Sequence, residues 1–280
     1  MCDLLSTLSD LGWDLPEPNS DGIMMVWQPD LREVSFPAES YEKGNNSETG
    51  FWVDHRAEAI LDITKRLGIR ELVEVGAGNG NISIPLVKAG VDVLAIEPIP
   101  SGVKTMHENG VTAICGLIDD VQFPSNSISN YGIFDVLEHL ENPEAVLDEI
   151  HRTLKIGGFL LVTVPAGQWL WGTVDEALGH YRRYSRKSLA EQLGRTGFRI
   201  VENRYLFACL VPIAFLVRAL PYRLHFRRSK QASLRLTNHR LRSRSQITKM
   251  IIKLLKLERS LSSFCSLPYG LSIVVVAKKQ

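Results

Sequence analysis

The sequence has few cysteines, and no spacing that would join them. Its four cysteines, Cys2, Cys115, Cys209 and Cys265, are far apart and form no Cys-x-x-Cys pair. A zinc ribbon, a redox pair and a disulfide framework are therefore not expected, and a reducing compartment such as the cytoplasm fits best. The chain also begins with acidic and polar residues rather than a basic flank and an apolar core, so no signal peptide is predicted.

Long hydrophobic runs are absent as well. The most apolar stretch, residues 205–220, is 16 residues long and is interrupted by Pro212 and Arg218. A helix needs roughly 20 apolar residues to cross a bilayer, so no membrane span is predicted here. The overall composition, 45% hydrophobic and 22% charged, is that of an ordinary folded protein.

Acidic residues are almost missing from the last part of the chain. From Asn203 onward there are 16 Lys or Arg residues and one acid, Glu258, a net charge of +15, whereas the first 202 residues carry −14. Basic side chains of this kind often only solvate exposed helix faces. They also suit a docking surface for an anionic partner, such as a membrane surface, nucleic acid or a phosphorylated substrate.

Strand and helix patterns alternate along the middle of the chain. The predicted strands are 71–75, 92–96, 112–115, 128–134, 159–164, 198–203 and 271–277. Predicted helices lie between them, and the helix at 52–67 precedes the first strand, with Gly68 ending it. This alternation predicts an α/β fold with a doubly wound, Rossmann-like sheet.

The remaining segments give the predicted domain organisation. Residues 1–50, rich in turn formers, are predicted to be an N-terminal arm with little regular structure. The predicted core is 51–204. A basic helical insertion is predicted at 205–265, because this stretch is too long for a plain connection, and 266–280 supplies the final strand of the core.

A glycine-rich loop follows the first strand of the core. It reads Glu74-Val-Gly76-Ala77-Gly78-Asn-Gly80, and glycines at such a turn let the backbone approach a ligand closely. Position 81 is Asn, where a dinucleotide fingerprint requires glycine, so a nicotinamide-dependent oxidoreductase is the less favoured alternative. Glu97, 21 residues beyond Gly76, is placed either to accept both hydroxyls of a ribose or to cap the turn before Pro98.

Four motifs in combination resemble one family. They are Val73-Glu-Val-Gly-Ala-Gly-Asn-Gly80, Ala95-Ile-Glu-Pro98, Phe134-Asp-Val-Leu-Glu-His139 and Leu154-Lys-Ile-Gly-Gly-Phe-Leu-Leu-Val-Thr-Val-Pro165. Over residues 50–204 the chain resembles a class I S-adenosylmethionine-dependent methyltransferase of the type 11/type 23 group. The resemblance implies a seven-stranded sheet whose last strand is antiparallel, and S-adenosylmethionine as the cofactor.

The resemblance also implies roles for individual residues. The methionine end of the cofactor is expected at Glu74, Gly76, Ala77, Gly78 and Gly80, the ribose at Glu97 and Pro98, the adenine at Leu117 and Ile118, and the sulfonium above Phe134 and Asp135. Many relatives have Asp at the position of Leu117, so here the adenine amino group is left to backbone groups or to Asp119.

Two further segments, 51–56 and 171–184, resemble a narrower bacterial subgroup. In the first, Trp52 and Arg56 are candidates for cofactor binding, with core packing and pairing to an acid of the arm as the alternatives. In the second, Tyr181 and Arg183 are candidates for positioning an anionic or sugar-like substrate, with loop structure as the alternative.

Two histidines are candidates for the chemistry. Methyl transfer needs alignment and, for a hydroxyl or amine, removal of a proton. His139 and His180 are the candidate general bases, although either side chain would serve equally to anchor a loop. Asp175 and Glu176 are interpreted as orienting their loop, and no metal site is predicted.

The acceptor is expected to be a hydroxyl of a small molecule, such as a sugar or a lipid-linked glycan. The basic insertion is interpreted as a lid over the active site or as a peripheral membrane contact through residues 205–261, at the inner face of the membrane. Nucleic acid is not the expected partner, since 223–244 has almost no aromatic residues among its arginines. The alternative to an enzyme is a non-catalytic module that binds the cofactor and acts through its basic region.

Overall fold

The core of the molecule is a single mixed sheet. A computed structural model describes residues 3–19, 23–26, 50–225, 229, 246–262 and 267–280. In these ranges the strands are β1 Met24–Met25, β2 Glu71–Val75, β3 Asp92–Glu97, β4 Thr112–Cys115, β5 Ile128–Phe134, β6 Leu154–Pro165, β7 Phe198–Leu206 and β8 Ser272–Lys279. Their order across the sheet is β1-β4-β3-β2-β5-β6-β8-β7.

Helices cover both faces of this sheet, as the alternating pattern predicted. The described α-helices are α1 Asp3–Asp10, α2 Phe51–Leu67, α3 Ser83–Lys88, α4 Pro100–Glu108, α5 Ile118–Val121, α6 Pro143–Thr153, α7 Thr173–Leu178, α8 Arg186–Arg195, α9 Val211–Ala214, α10 Leu220–Arg223 and α11 Gln246–Ser262. Gly68 ends α2 in the left-handed conformation, with φ 67°, as predicted.

The strand order reverses between β2 and β5. From β2 the sheet continues through β3 to β4 on one side, and through β5 to β6 on the other, with all of these pairs parallel. The carboxyl ends of β2 and β5 therefore lie side by side at a topological switch point, where open α/β sheets bind ligands. The last strand, β8, is antiparallel to both β6 and β7, as expected.

The N-terminal arm contains more regular structure than predicted, and the sheet has eight strands instead of seven. Helix α1 buries Leu4 and Leu8, and β1 pairs in parallel with Ile114 and Cys115 of β4. The prediction missed both elements because α1 offers only two turns of apolar periodicity. A two-residue strand has no sequence pattern of its own and exists only through its pairing partner.

The described part of the predicted insertion is helical. β7 continues to Leu206, three residues beyond its predicted end, and a 3₁₀ turn at Ala208–Leu210 leads into α9. A π-helical turn, Phe215–Ala219, joins α9 to α10. Most of the arginine-rich stretch at 223–244 lies outside the described residues. Among the described helices, none is both long enough and apolar enough to cross a bilayer.

Candidate functional site

The glycine-rich loop turns sharply at the end of β2. The backbone φ values of Gly76, Gly78 and Gly80 are 70°, 60° and 77°. Residues with a β-carbon rarely adopt such positive values. Space is also restricted, because a β-carbon on Gly76 would lie 2.6 Å from Cγ2 of Val136 and one on Gly80 would lie 2.8 Å from Cγ of Met106. The loop thus lies directly against the segment that follows β5.

Glu97 holds this loop from the end of β3. Its carboxylate is buried, Oε2 accepts a hydrogen bond from the Gly78 amide at 2.7 Å, and Oε1 accepts one from the Ile99 amide at 3.0 Å. Glu97 therefore caps the turn before Pro98, one of its two predicted roles. Each carboxylate oxygen has more than one acceptor direction, so this role is compatible with binding a ribose as well.

Gly102 in α4 was missed by sequence reasoning, although it belongs to the same site. A β-carbon there would lie 2.5 Å from the carbonyl oxygen of Gly78 and 3.2 Å from Cγ of Glu97. The absence of a side chain at Gly102 lets α4 pack against the loop. The one signal in the sequence for this role was the position of Gly102 near the start of the helix that follows β3.

Glu74 lies beneath the loop and is buried. The hydroxyl of Ser83, another residue that the sequence did not single out, donates a hydrogen bond to Oε2 of Glu74. Burial raises the pKa of Glu74 to about 8, and the nearby charge of Glu97 acts in the same direction. A buried carboxyl of this kind is suited to a cationic ligand group, since a positive charge stabilises its ionised form.

Asp135 follows β5 and has an unusual backbone. Its φ of 55° is in the left-handed region, which costs a residue other than glycine free energy and is found often at functional sites. Oδ1 accepts a hydrogen bond of 3.0 Å from the hydroxyl of Thr163, and Oδ2 forms an ion pair with Nη1 of Arg56. The structure therefore brings together two predicted site residues 79 positions apart in the chain.

Trp52 packs at the same end of the sheet. Its indole stacks on the buried ring of Phe207 with centroids 3.7 Å apart, and the Arg56 guanidinium lies 6.0 Å from the indole centroid. This contact corresponds to core packing, one of the two alternatives for Trp52. The indole remains half-buried.

Several predicted cofactor residues direct their side chains into the core. Phe134 is 7% exposed and its ring covers Gly132, where a β-carbon would lie 2.6 Å from Cε2. Ile118 is buried in the main hydrophobic cluster, and Ala77 is buried in a smaller one. Leu117 stays half-buried at the start of α5, so it is the residue of this group that a bound adenine would contact through its side chain.

His139 and His180 meet at the carboxyl end of β5. Their rings are edge to face with centroids 4.6 Å apart. The amide of Tyr181 donates to the carbonyl of Glu138 at 2.8 Å, which joins the turn at Leu137–His139 to the loop carrying His180. Burial, together with the neighbouring His180, lowers the pKa of His139 to about 3, so this imidazole is neutral near pH 7 and is a weak base.

Asp175 organises the loop, as expected from the sequence. Oδ1 accepts from Nδ1 of His180 at 2.9 Å and from Nε of Arg183 at 2.7 Å, and Oδ2 accepts from the Gly172 amide. Burial alone would raise the pKa of Asp175, but His180 and Arg183 outweigh it and hold the pKa below its usual range. The Arg183 side chain is 7% exposed in this pair, whereas Tyr181 is 49% exposed.

The helices after β7 pack over this loop. The Tyr222 hydroxyl donates to Oε1 of Glu176 at 2.7 Å, and Nη2 of Arg223 donates to the Trp169 carbonyl at 3.0 Å. Arg218, in the π-helical turn, is largely buried beside Arg183 and Asp175. The π-helical turn and α10 therefore pack against the loop that carries His180.

Comparison with known proteins identifies the family to which the chain belongs. A family model described as a methyltransferase domain matches residues 52–203, more than half of the chain. The chain belongs to this family of class I, S-adenosylmethionine-dependent methyltransferases. The matched range holds the glycine-rich loop, Glu97, Asp135 and both histidines, so the cofactor of this methyltransferase is S-adenosylmethionine.

Individual relatives match about half of this chain. An uncharacterized methyltransferase of Mycobacterium tuberculosis is 29% identical over 160 residues, 56% of this chain and 57% of the relative. A ubiquinone biosynthesis O-methyltransferase of Rickettsia canadensis is 26% identical over 156 residues, 49% of this chain and 65% of the relative. These matches thus span less than two thirds of either relative.

Solved structures agree on the fold. A methyltransferase of Thermotoga maritima, described as a possible histamine N-methyltransferase, superposes with a TM-score of 0.51 at 18% identity, over 82% of this chain and 92% of that chain. At this identity the similarity extends to the fold and not to the acceptor.

Proposed function

We propose that this methyltransferase transfers the methyl group of S-adenosylmethionine to a hydroxyl of a small molecule, such as a sugar or a lipid-linked glycan. The observation that carries the proposal is the contact between the glycine-rich loop and Val136. That contact puts the proposed cofactor site beside the turn that carries His139, which in turn meets His180. A donor and a proton acceptor are therefore neighbours.

The cofactor is proposed to lie across the ends of β2 and β3. In this arrangement the backbone of the glycine-rich loop and the carboxyl of Glu74 face the cationic methionine end, and Glu97 accepts from the ribose. The Arg56–Asp135 pair is proposed to border the sulfonium. The half-buried Trp52 is proposed to border the same end.

The reaction is a direct displacement. The acceptor oxygen forms a bond to the methyl carbon while the carbon–sulfur bond breaks, and its electron pair stays on sulfur in S-adenosylhomocysteine. The hydroxyl proton must leave. His180 is better arranged than His139 to be its acceptor, because Asp175 holds Nδ1–H and so directs a lone pair to Nε2.

We propose a hydroxyl rather than an amine as the acceptor because one relative is named a ubiquinone biosynthesis O-methyltransferase. That name describes methyl transfer to oxygen. Tyr181 is the predicted substrate residue whose side chain stays accessible, and an exposed ring suits packing against a sugar face. Arg183 is proposed to support the loop rather than the substrate, because its guanidinium is held by Asp175.

Calorimetry on the full chain tests the first step of the proposal. S-adenosylmethionine and S-adenosylhomocysteine are expected to bind, and NAD is not. Methyl transfer is then followed with tritium-labelled S-adenosylmethionine and an extract separated into lipid-soluble and water-soluble hydroxyl compounds. Cofactor binding without label transfer to any fraction would favour the non-catalytic alternative, and label on an amine would contradict the choice of acceptor atom.

We infer that α11 contacts an anionic lipid surface. Exposed Lys249, Lys253 and Lys256 alternate along it with exposed Met250, Leu254 and Leu257, while Ile251, Leu255 and Glu258 are buried against the rest of the protein. An outward face with both apolar and basic side chains is typical of helices lying in a membrane interface. The net charge of +15 from Asn203 onward acts in the same direction.

Vesicle sedimentation tests this contact. The full chain is expected to bind vesicles containing phosphatidylglycerol, less so at high salt, and not those of phosphatidylcholine alone. A variant with Lys249, Lys253 and Lys256 changed to Glu is expected to lose the binding. The control Lys187→Glu, at a highly exposed lysine of α8, keeps it. Equal binding of both variants would contradict the assignment of the contact to α11.

A further inference from the structure

Three side chains with metal-binding atoms converge where the turn after β5 meets the loop after α7. Glu138, His139 and His180 each direct one ligand atom to a common place, and these atoms all lie within 4.8 Å of one another. Ligands bound to one zinc ion at about 2.0–2.2 Å lie roughly 3.4 Å apart in a tetrahedral site. Small side-chain rotations would therefore bring the three atoms to one ion.

The carboxyl of Glu138 points independently to a ligand. The residue is 1% exposed, and its Oε2 has no hydrogen-bond partner among the described residues. Buried carboxyl oxygens are rarely left without a partner, because desolvation is costly. An ion held at this oxygen would supply the missing interaction.

Hydrogen bonds to neighbouring residues orient both histidines as possible metal ligands. Asp175 accepts from Nδ1–H of His180, so the lone pair of His180 is on Nε2, in the carboxylate–histidine arrangement that orients metal ligands. His139 donates to the backbone of Leu178 through one ring nitrogen, which leaves the lone pair on the other. Two imidazoles and one carboxylate form a donor set suited to Zn²⁺ and similar ions.

The acids beside the cluster already have basic partners. Asp135 forms an ion pair with Arg56 and Asp175 with Arg183, and Arg218 is buried beside the second pair. Glu138 is the acid of the cluster with which a bound cation would pair.

We propose that Glu138, His139 and His180 bind a divalent transition-metal ion, and that this ion, rather than a histidine base, activates the acceptor hydroxyl. The second half rests on the proposed methyl transfer to a hydroxyl, and in it His180 serves as a metal ligand instead of as the proton acceptor. It also replaces the expectation from sequence that no metal is bound. When the ion is present, a hydroxyl oxygen bound to it loses its proton to solvent more readily. The proposal also gives Asp175 a positioning role, through His180.

Metal binding is measured on the full chain after removal of metals with EDTA and dialysis. Calorimetry with Zn²⁺ is expected to give one site per chain, and Co²⁺ is expected to give an absorption band in the visible range. Glu138→Gln and His180→Asn are expected to weaken Zn²⁺ binding at least tenfold, and Asp175→Asn about 10–100-fold. His107→Asn, at a histidine of α4 outside the cluster, serves as the control.

Two further readouts separate the possible outcomes. Thermal melts and S-adenosylmethionine calorimetry on each variant establish folding and an intact cofactor site, so loss of the metal alone is recognisable. Zn²⁺ affinity equal in wild type, Glu138→Gln and His180→Asn would overturn the site. Metal binding with methyl transfer unchanged by EDTA would overturn the activating role, whereas failure of S-adenosylmethionine to bind would count against the proposed function and leave the metal site standing.

Discussion

The indole of Trp52 lies flat on the ring of Phe207, with centroids 3.7 Å apart and planes 8° from parallel. This contact ties α2 to the segment that leads into α9. We expect Phe207→Ala to lower the free energy of unfolding by about 3–5 kcal/mol, because the ring is fully buried. In a double-mutant cycle with Trp52→Ala, measured by urea unfolding, the pair should couple by about 1 kcal/mol. A coupling energy near zero would contradict the stacking.

The glycine-rich loop should be sensitive to single methyl groups for a reason that goes beyond backbone strain. Gly76→Ala requires both a left-handed alanine and displacement of Val136, whereas Gly90→Ala requires only the left-handed alanine, since no atom lies within 4 Å of its β-carbon. We expect Gly90→Ala to cost about 1–2 kcal/mol of stability and to leave S-adenosylmethionine binding unchanged. Gly76→Ala should weaken binding at least tenfold in calorimetry. Equal affinities of the two variants for S-adenosylmethionine would show that the loop does not contact the cofactor.

Glu74 should make stability depend on pH in a defined direction. Its pKa is about 8 in the folded chain and ordinary in the unfolded one, so the folded chain holds a proton that the unfolded chain releases between about pH 4.5 and 8. Stability from this group is therefore present at low pH and is lost as pH rises, by up to about 1.4 kcal/mol per pH unit.

Glu74→Gln removes this dependence. Measured as urea midpoints at pH 5.5, 6.5 and 7.5, the variant should become more stable relative to wild type as pH increases. Glu71→Gln, at the partly exposed start of the same strand, is the matched control. A constant difference for Glu74→Gln would mean that its carboxyl is not neutral in the folded protein.

Glu258 should anchor α11. It is the single acid after Asn203, and it is buried, with its two oxygens accepting from the amides of Ala208 and Cys209 at 2.9 Å each. Glu258→Gln leaves one acceptor and turns an NH₂ group toward an amide, which should cost about 1–3 kcal/mol. Hydrogen exchange at Ala208 and Cys209 should accelerate, while Glu108→Gln on the exposed side of α4 leaves it unchanged. Unaltered exchange in Glu258→Gln would contradict the anchor.

The central strands were predictable from sequence because each combines an apolar run with clear turn residues at both ends. Glu71–Val75, Thr112–Cys115 and Ile128–Phe134 have the predicted bounds. β6 begins at Leu154 rather than at 159, since Lys155-Ile-Gly-Gly resembles a helix end. In the structure the register shift opposite β5 accommodates these residues within the strand.

The candidate site was predictable as a set of positions but not as a set of contacts. The spacing of Gly76, Gly78 and Gly80 indicated a loop that approaches a ligand, and its helix and strand context placed it correctly. The partners of Trp52, Arg56 and Glu138 could not be predicted, because each depends on where distant segments meet in space. The glycine spacing is a local pattern in the sequence. The ion pair between Arg56 and Asp135, in contrast, depends on how the whole sheet packs.

The short strand β1 has a consequence for the behaviour of the protein in solution. It lies at one end of the strand order, where its parallel pairing occupies the hydrogen-bonding groups of Ile114 and Cys115 that would otherwise face outward. An unprotected outer strand is a template on which another chain can add. By covering β4, a few residues of the arm are expected to hinder self-association along this edge, close to Leu117 at the proposed adenine site.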